Sequence, residues 1–122
     1  MESGVNTILY PVRDPAKAKA LFSALLGTEP MYDQPYYIGF RIGGQDIGLV
    51  PNGHSQGMTG TTGYYEVADI AAAVAQLGSM GAVVVQEPMD IGEGGLVALV
   101  QDYDGNMIGL KQTPSESQKA VR

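Results

Sequence analysis

The chain has 122 residues, enough for one domain with a real core, and its apolar fraction of 44% rules out a disordered or fibrous protein. Its formal net charge is −6 and its seven Lys and Arg are scattered, which argues against nucleic acid as a partner, because neutralising phosphate takes a basic patch. It has no Cys, hence no disulfide, thiol chemistry or Cys-ligated metal, and no apolar run approaches the roughly 18 residues of a membrane span, so a cytoplasmic protein is expected.

Residues 5–12 are apolar and β-branched, as in a strand, and run directly into Asp14-Pro15. That dipeptide is a helix start: Asp caps the free N–H groups and Pro gives up only an orphan donor. Ala18, Leu21, Phe22 and Leu25 then form one apolar stripe, and Gly27 stops the helix. Short strands are expected at Glu29–Gln34, Tyr36–Ile42 and Asp46–Val50, separated by Pro35 and a Gly43-Gly44 turn. Residues 51–60 read as a polar linker. A strand at about 61–67 follows, then a helix capped by Asp69 with Ile70, Ala73, Val74 and Leu77 on its buried side, ended by Gly81. Strands near 82–87, 95–101 and 106–112 complete the plan, and 113–122 reads as a loose tail.

The second half repeats the first. Residues 5–26 and 60–81 align without a gap at a constant offset, 55 positions from Asp14 to Asp69. Thr7 meets Thr62, Tyr10 meets Tyr65 and Val12 meets Val67. A second matching phrase closes each half, Gly44-Gln45-Asp46-Ile47-Gly48-Leu49 and Gly105-Asn106-Met107-Ile108-Gly109-Leu110. Each half therefore reads β-α-β-β-β, and a duplicated unit of this kind implies a shared concave space where a ligand would bind. Strand alternation assigns the faces. Ile8, Tyr10 and Val12, and Gly63, Tyr65 and Val67, are expected to cover the helices. Thr7 and Leu9, Thr62, Tyr64 and Glu66, Asp46, Gly48 and Val50, and Met107, Gly109 and Lys111 are expected to face the concavity.

The two βαβββ modules, the strand–x–Asp–helix openings and the ending Asp102-Tyr103-Asp104-Gly105-Asn106-Met107-Ile108-Gly109-Leu110 resemble the vicinal oxygen chelate superfamily. That superfamily includes glyoxalase I, extradiol dioxygenases and the bleomycin-resistance proteins. The resemblance covers nearly all of residues 5–112 and departs from the family ending at Tyr103, where Pro is usual. It implies an α+β fold in a single domain over 1–112, with modules at about 5–50 and 61–112. Two βαβββ modules would form a curved eight-stranded mixed sheet around a cleft, in a homodimer.

Enzymes of the superfamily chelate a divalent metal through a residue on the first strand and one on the last strand of each module. Carried onto this chain, those positions are Thr7, Gly48, Thr62 and Gly109. None is an imidazole or a carboxylate, so no metal and no cofactor is expected. The glycines at 48 and 109 are expected to leave open space there. The only histidine, His54, reads as a solvated turn residue of the linker.

Asp102–Asn106 superficially resembles a calcium loop but lacks the closing Glu, and Asp-Gly-Asn between strands is a hairpin turn. Gly92-Glu93-Gly94-Gly95 reads as a flexible loop or bulge, a lip over the cleft. Tyrosine is abundant, with seven residues, and suits stacking on a planar ligand. Tyr32, Tyr36, Tyr37, Tyr64 and Tyr103 are placed at the cleft or its rims, and Tyr10 and Tyr65 in the helix-facing core. Met89, Met107 and Leu9 would line the pocket, with Arg41, Asp46, Glu66 and Lys111 as polar groups. The ligand-binding set is thus Thr7, Leu9, Tyr37, Arg41, Gly48, Thr62, Tyr64, Met107, Gly109 and Lys111. The expected function is binding of a small, partly aromatic ligand without metal, as in drug sequestration. The alternative is a lyase, isomerase or dioxygenase-like enzyme using Glu66 as general base or an unrecognised metal site.

Overall fold

A computed structural model describes residues 4–114. It divides into two compact units, Asn6–Gly63 and the chain from Tyr64 onward together with Gly4 and Val5. The elements of the first module are β1 (Val5–Pro11), α1 (Pro15–Leu26), β2 (Tyr32–Gln34), β3 (Tyr37–Ile42) and β4 (Gln45–Val50). A turn of 3-10 helix at His54–Gln56 follows. The second module comprises β5 (Thr62–Glu66), α2 (Ile70–Ser79), β6 (Val83–Gly92), β7 (Gly95–Gln101) and β8 (Met107–Gln112). Each module is βαβββ, with strands in the same order, β2-β3-β4-β1 and β5-β8-β7-β6. In each, the first strand runs parallel to the last and the other pairs are antiparallel. Of the expected tail 113–122, residues 115–122 lie outside the described residues. Among the described residues, no helix is long and apolar enough to cross a membrane.

In module one, an Asp14 carboxylate oxygen accepts from the Lys17 N–H at 3.1 Å, and Gly27 closes α1 at φ 70° with its N–H on the Ser23 carbonyl. This cap is worth about 1 kcal/mol. The core is Ile38, Phe40 and Leu49, covered by Tyr10, Val12, Ala18, Phe22 and Leu26. Phe22 decides how α1 sits. Its ring centroid lies 4.9 Å from Tyr10 and 6.4 Å from Phe40. The inward row is therefore Ala18–Phe22–Leu26, and the expected stripe is corrected: Leu21 and Leu25 lie about 100° round the helix and are 66% and 72% exposed. β2 is shorter than expected, since Pro30 has no N–H to pair and only Tyr32–Gln34 join the ladder.

In module two, Asp69 caps α2 through the Ala72 N–H at 3.1 Å, and the Gln112 side-chain oxygen accepts from the Ile70 N–H at 2.8 Å. Ile70, Val74, Ala98 and Leu110 form the core, with Val67, Leu77 and Val84 against it. Tyr65 does not join them. Leu77 stands where Phe22 stands in module one, and Tyr65 remains 43% exposed. β6 is longer than expected, running to Gly92 through register shifts that absorb Pro88. Glu93 and Gly94, at φ 55° and 83°, then make a two-residue hairpin turn of the primed type into β7. The expected flexible lip is therefore a tight turn.

Candidate functional site

The core residues mark one face of each module's strands as helix-covered, so alternation places the nominated site residues on the opposite, helix-free face. In module one, β1 contributes Thr7 and Leu9, β4 contributes Asp46, Gly48 and Val50, and β3 contributes Tyr37, Gly39 and Arg41. Register brings them together: Leu9 pairs with Gly48, Gly48 with Gly39, Thr7 with Asp46 and Asp46 with Arg41. The last pair is bonded, with the Arg41 guanidinium donating to the Asp46 carboxylate at 2.9 Å. Thr7 is buried, and its hydroxyl donates to the Asn6 side-chain oxygen at 3.1 Å. Thr62, the first residue of β5, is also buried.

Gly48 does not leave open space. The Tyr37 ring lies across Gly39 and Gly48. A methyl group added at Gly48 would stand 2.7 Å from Tyr37 Cε1 and 2.6 Å from Leu9 Cδ2, and one at Gly39 would stand 2.9 Å from Tyr37 Cε2. Tyr32 extends this aromatic surface, its ring 6.1 Å from Tyr37 and 6.4 Å from Tyr36. The Tyr32 and Tyr36 hydroxyls are 2.7 Å apart, and this bond, followed by desolvation, raises the Tyr32 pKa.

Module two repeats the device with different neighbours. Tyr64 pairs with Gly109, and a methyl group added at Gly109 would lie 2.5–2.7 Å from the base of the Tyr64 ring. Tyr64 is only 8% exposed. Desolvation pushes its phenol pKa up. Beside it on the same face stand Met107 and Lys111 of β8, Val97 and Leu99 of β7, and Met89, which pairs with Val97. Glu66, nominated as a general base, holds the end of β8: its two carboxylate oxygens accept from the Thr113 N–H and the Thr113 hydroxyl, both at 2.8 Å.

Other nominated groups lie elsewhere. Tyr103 donates its hydroxyl to the Met80 carbonyl and packs against Gly81, so it fastens the end of α2. Asp102 accepts from the N–H groups of Asp104 and Asn106 and from the Asn106 side chain, the bonding pattern of a turn. His54 is half-buried, with a buried Nδ1 that has no partner among the described residues, rather than solvated. A groove of about 740 Å³ lies on the helix side of module one, where Lys19 and Asp33 pair at 2.5 Å near Ser23, Pro35 and Ile38. None of the nominated site residues lines it.

The donor set does not fit a divalent metal. Thr7 and Thr62 offer neutral hydroxyls, Gly48 and Gly109 offer no side chain and lie beneath rings, and the four positions together supply none of the carboxylate or imidazole donors that chiefly hold divalent metals in proteins. Among the described residues, no three His, Cys, Asp or Glu side chains group to hold an ion. The tyrosine-over-glycine pairs escape sequence reasoning because they depend on cross-strand register. The one available signal was the coincidence of Tyr64 and Gly109 on inward positions of strands that the βαβββ plan makes neighbours.

The sequence profile of the Glyoxalase/Bleomycin resistance protein/Dioxygenase superfamily matches residues 4–110. No match is found among curated proteins. Among solved structures, the chain is similar to a member of that superfamily from Vibrio splendidus 12B01, with TM-score 0.70 and 18% identity over 91% of this chain and 98% of that one. It is similar also to methylmalonyl-CoA epimerase from Mycobacterium tuberculosis, with TM-score 0.73 and 16% identity over 98% and 92% of the two chains. The Mn(II)-bound glyoxalase from Novosphingobium aromaticivorans gives TM-score 0.68 and 17% identity over 91% of this chain and 40% of that one. At these identities the likeness is one of fold. With the profile spanning nearly the whole length and each module folded as βαβββ, the chain belongs to the glyoxalase/bleomycin resistance/dioxygenase superfamily.

Proposed function

We propose that the chain is a metal-free small-molecule-binding protein of its superfamily, holding a small, partly aromatic ligand against the helix-free faces of its modules, in a cytoplasmic homodimer. Sequestration requires only shape, stacking and a few hydrogen bonds. One observation carries the reading: the last strand of each module presents a glycine under a tyrosine ring, Gly48 under Tyr37 and Gly109 under Tyr64, where a chelating relative would carry a metal ligand. An exchange of carboxylate for aromatic surface favours a planar apolar ligand over a chelated one. Leu9 and Met107 supply adaptable apolar contact, Thr7 and Thr62 hydroxyls, and Arg41 and Lys111 charge at the margins.

A turnover role for Glu66 would first require its release from Thr113, which both of its oxygens engage. The test is metal analysis of protein purified without chelators, followed by titration with planar aromatic compounds monitored by tyrosine fluorescence and thermal shift. Saturable binding by metal-free protein is expected. Stoichiometric Ni, Zn, Mn or Fe retained through dialysis, or no binding across the panel, would overturn the reading.

A further inference from the structure

We propose that the groove on the helix side of module one is a binding site of its own, taking an organic ammonium ion on a compact apolar body. The proposal is independent of the ligand read for the helix-free faces, since the groove lies on the other face of the sheet, between α1 and the segment that carries β2.

The repeat supplies an internal control. Pro15 and Lys19 of α1 stand 55 positions before Ile70 and Val74 of α2. In module two those two side chains are sequestered at 1% and 6% exposure and pack with Ala98 and Leu110, which brings this face of the helix down on the sheet. In module one a proline ring and a long ammonium chain replace them, neither is buried, and the matching face borders about 740 Å³ of groove. Ala16 and Ala20 keep the helix wall low, and Ile38, 3% exposed, borders the groove from the sheet. The groove therefore comes from this chain's own residues rather than from the βαβββ architecture. Its size falls within the roughly 300–1,000 Å³ of small-molecule sites.

Charge and lining define the occupant. The Asp33 carboxylate holds Lys19 Nζ at 2.5 Å, which sets one charge against the other. That bond is the main cause of a raised Lys19 pKa, and the field of Glu29 adds to it, so Glu29 stands near the pair. The Glu29 carboxylate has no hydrogen-bond or ion-pair partner among the described residues. One cation against two carboxylates leaves the groove with an excess negative charge, between apolar walls of Pro15, Ala16, Ala20, Pro35 and Ile38. A carboxylate ligand would have to displace Asp33 from Lys19 and face Glu29. An ammonium ion is attracted by both acids while its body lies on the apolar walls. The Ser23 hydroxyl, also at the groove, is buried and has no partner among the described residues. Serine turns by one side-chain rotation, so an ammonium N–H can donate to the oxygen that the protein leaves unmatched.

The experiment titrates cyclohexylmethylammonium, cyclohexylmethanol and cyclohexanecarboxylate into the full chain, with amide shifts giving both Kd and location. The probes share one body, and it offers the tyrosine rings no flat face to stack on. The ammonium probe is expected to shift amides of α1 and of residues 29–38 saturably. It should bind about fivefold to tenfold more tightly than the alcohol, the worth of a charge-assisted hydrogen bond discounted for an exposed site. The carboxylate should bind more weakly still. Glu29→Gln should weaken the ammonium probe by about threefold and leave the alcohol unchanged. Ala20→Leu, at an exposed position of α1, fills part of the groove and should weaken both, its fold being checked by circular dichroism. Alcohol or carboxylate bound as tightly as the ammonium, shifts centred outside α1 and residues 29–38, affinity untouched by both variants, or no saturable shift overturns the proposal. Each of these results leaves the binding function of the helix-free faces standing, because planar aromatic compounds test that separately.

Discussion

Adding a single methyl group at Gly109 tests whether the tyrosine ring is fixed against β8. Alanine in a strand interior is ordinarily favoured over glycine by roughly 0.5–1 kcal/mol, because glycine loses more backbone freedom on folding. Gly109 has no positive φ, so backbone conformation raises no objection. The obstacle is Tyr64: three atoms at the base of its ring would lie 2.5–2.7 Å from the new carbon, and the base of a ring cannot swing aside as the tip of a long side chain can. Overpacking of this kind costs about 1–3 kcal/mol, so Gly109→Ala should lose roughly 1–2 kcal/mol net. With an m-value of about 2 kcal/mol per molar, the urea midpoint should fall by roughly 0.5–1 M. In a Tyr64→Ala background the same substitution should be neutral or stabilising, giving a coupling of about 2 kcal/mol in a double-mutant cycle. Denaturation of the four proteins by urea, followed by circular dichroism, measures it. A Gly109→Ala protein more stable than wild type, or additive effects in the cycle, would refute the ring placement.

Glu93 sits at φ 55° in the β6–β7 turn, so Glu93→Gly should stabilise by about 1 kcal/mol, read as a raised thermal midpoint; no rise would mean the turn is not of the primed type. Tyr103→Phe removes the bond to the Met80 carbonyl on an exposed side chain and should cost about 0.5–1 kcal/mol in the same assay. The Asp102 carboxyl is held below the usual carboxylate range, first by the side-chain bond from Asn106 and then by backbone N–H groups. Its stabilisation is therefore present above the unfolded value of 3.8 and is lost as pH falls through the lower folded value. The stability gap between wild type and Asp102→Asn should close as pH falls below 3.8, and a gap constant from pH 6 to pH 2 would count against the turn's charge-assisted bonds.

Much of the fold was legible because it rests on local chemistry. Asp14 and Asp69 cap helices, Gly27 terminates one, and alternation along β1, β4 and β8 sorts core from helix-free face. What was not legible depends on partners distant in sequence. Leu21 and Leu25 fit the helical period, but Phe22, gripped by Tyr10 and Phe40, turns α1 away from them. The resemblance to chelating relatives marked Gly48 and Gly109 as open space, whereas cross-strand register lays Tyr37 and Tyr64 over them. The superfamily was readable from the closing phrase of the chain. The commitment of Glu66 to Thr113 was not, because it joins a strand end to a residue 47 positions away.

The two helices begin from the same capping device and end in different energetic positions. α2 drives Ile70 and Val74 into its core, at 1% and 6% exposure, while the matching positions of α1 are Pro15 and Lys19, and no residue of α1 is buried. A helix anchored only by half-buried side chains can detach from its sheet at less cost than one with two fully sequestered anchors. Hydrogen–deuterium exchange should therefore resolve the repeat into unequal partners, α1 amides exchanging through local opening well before those of α2. Duplication supplied two copies of one architecture, and divergence has anchored their helices unequally.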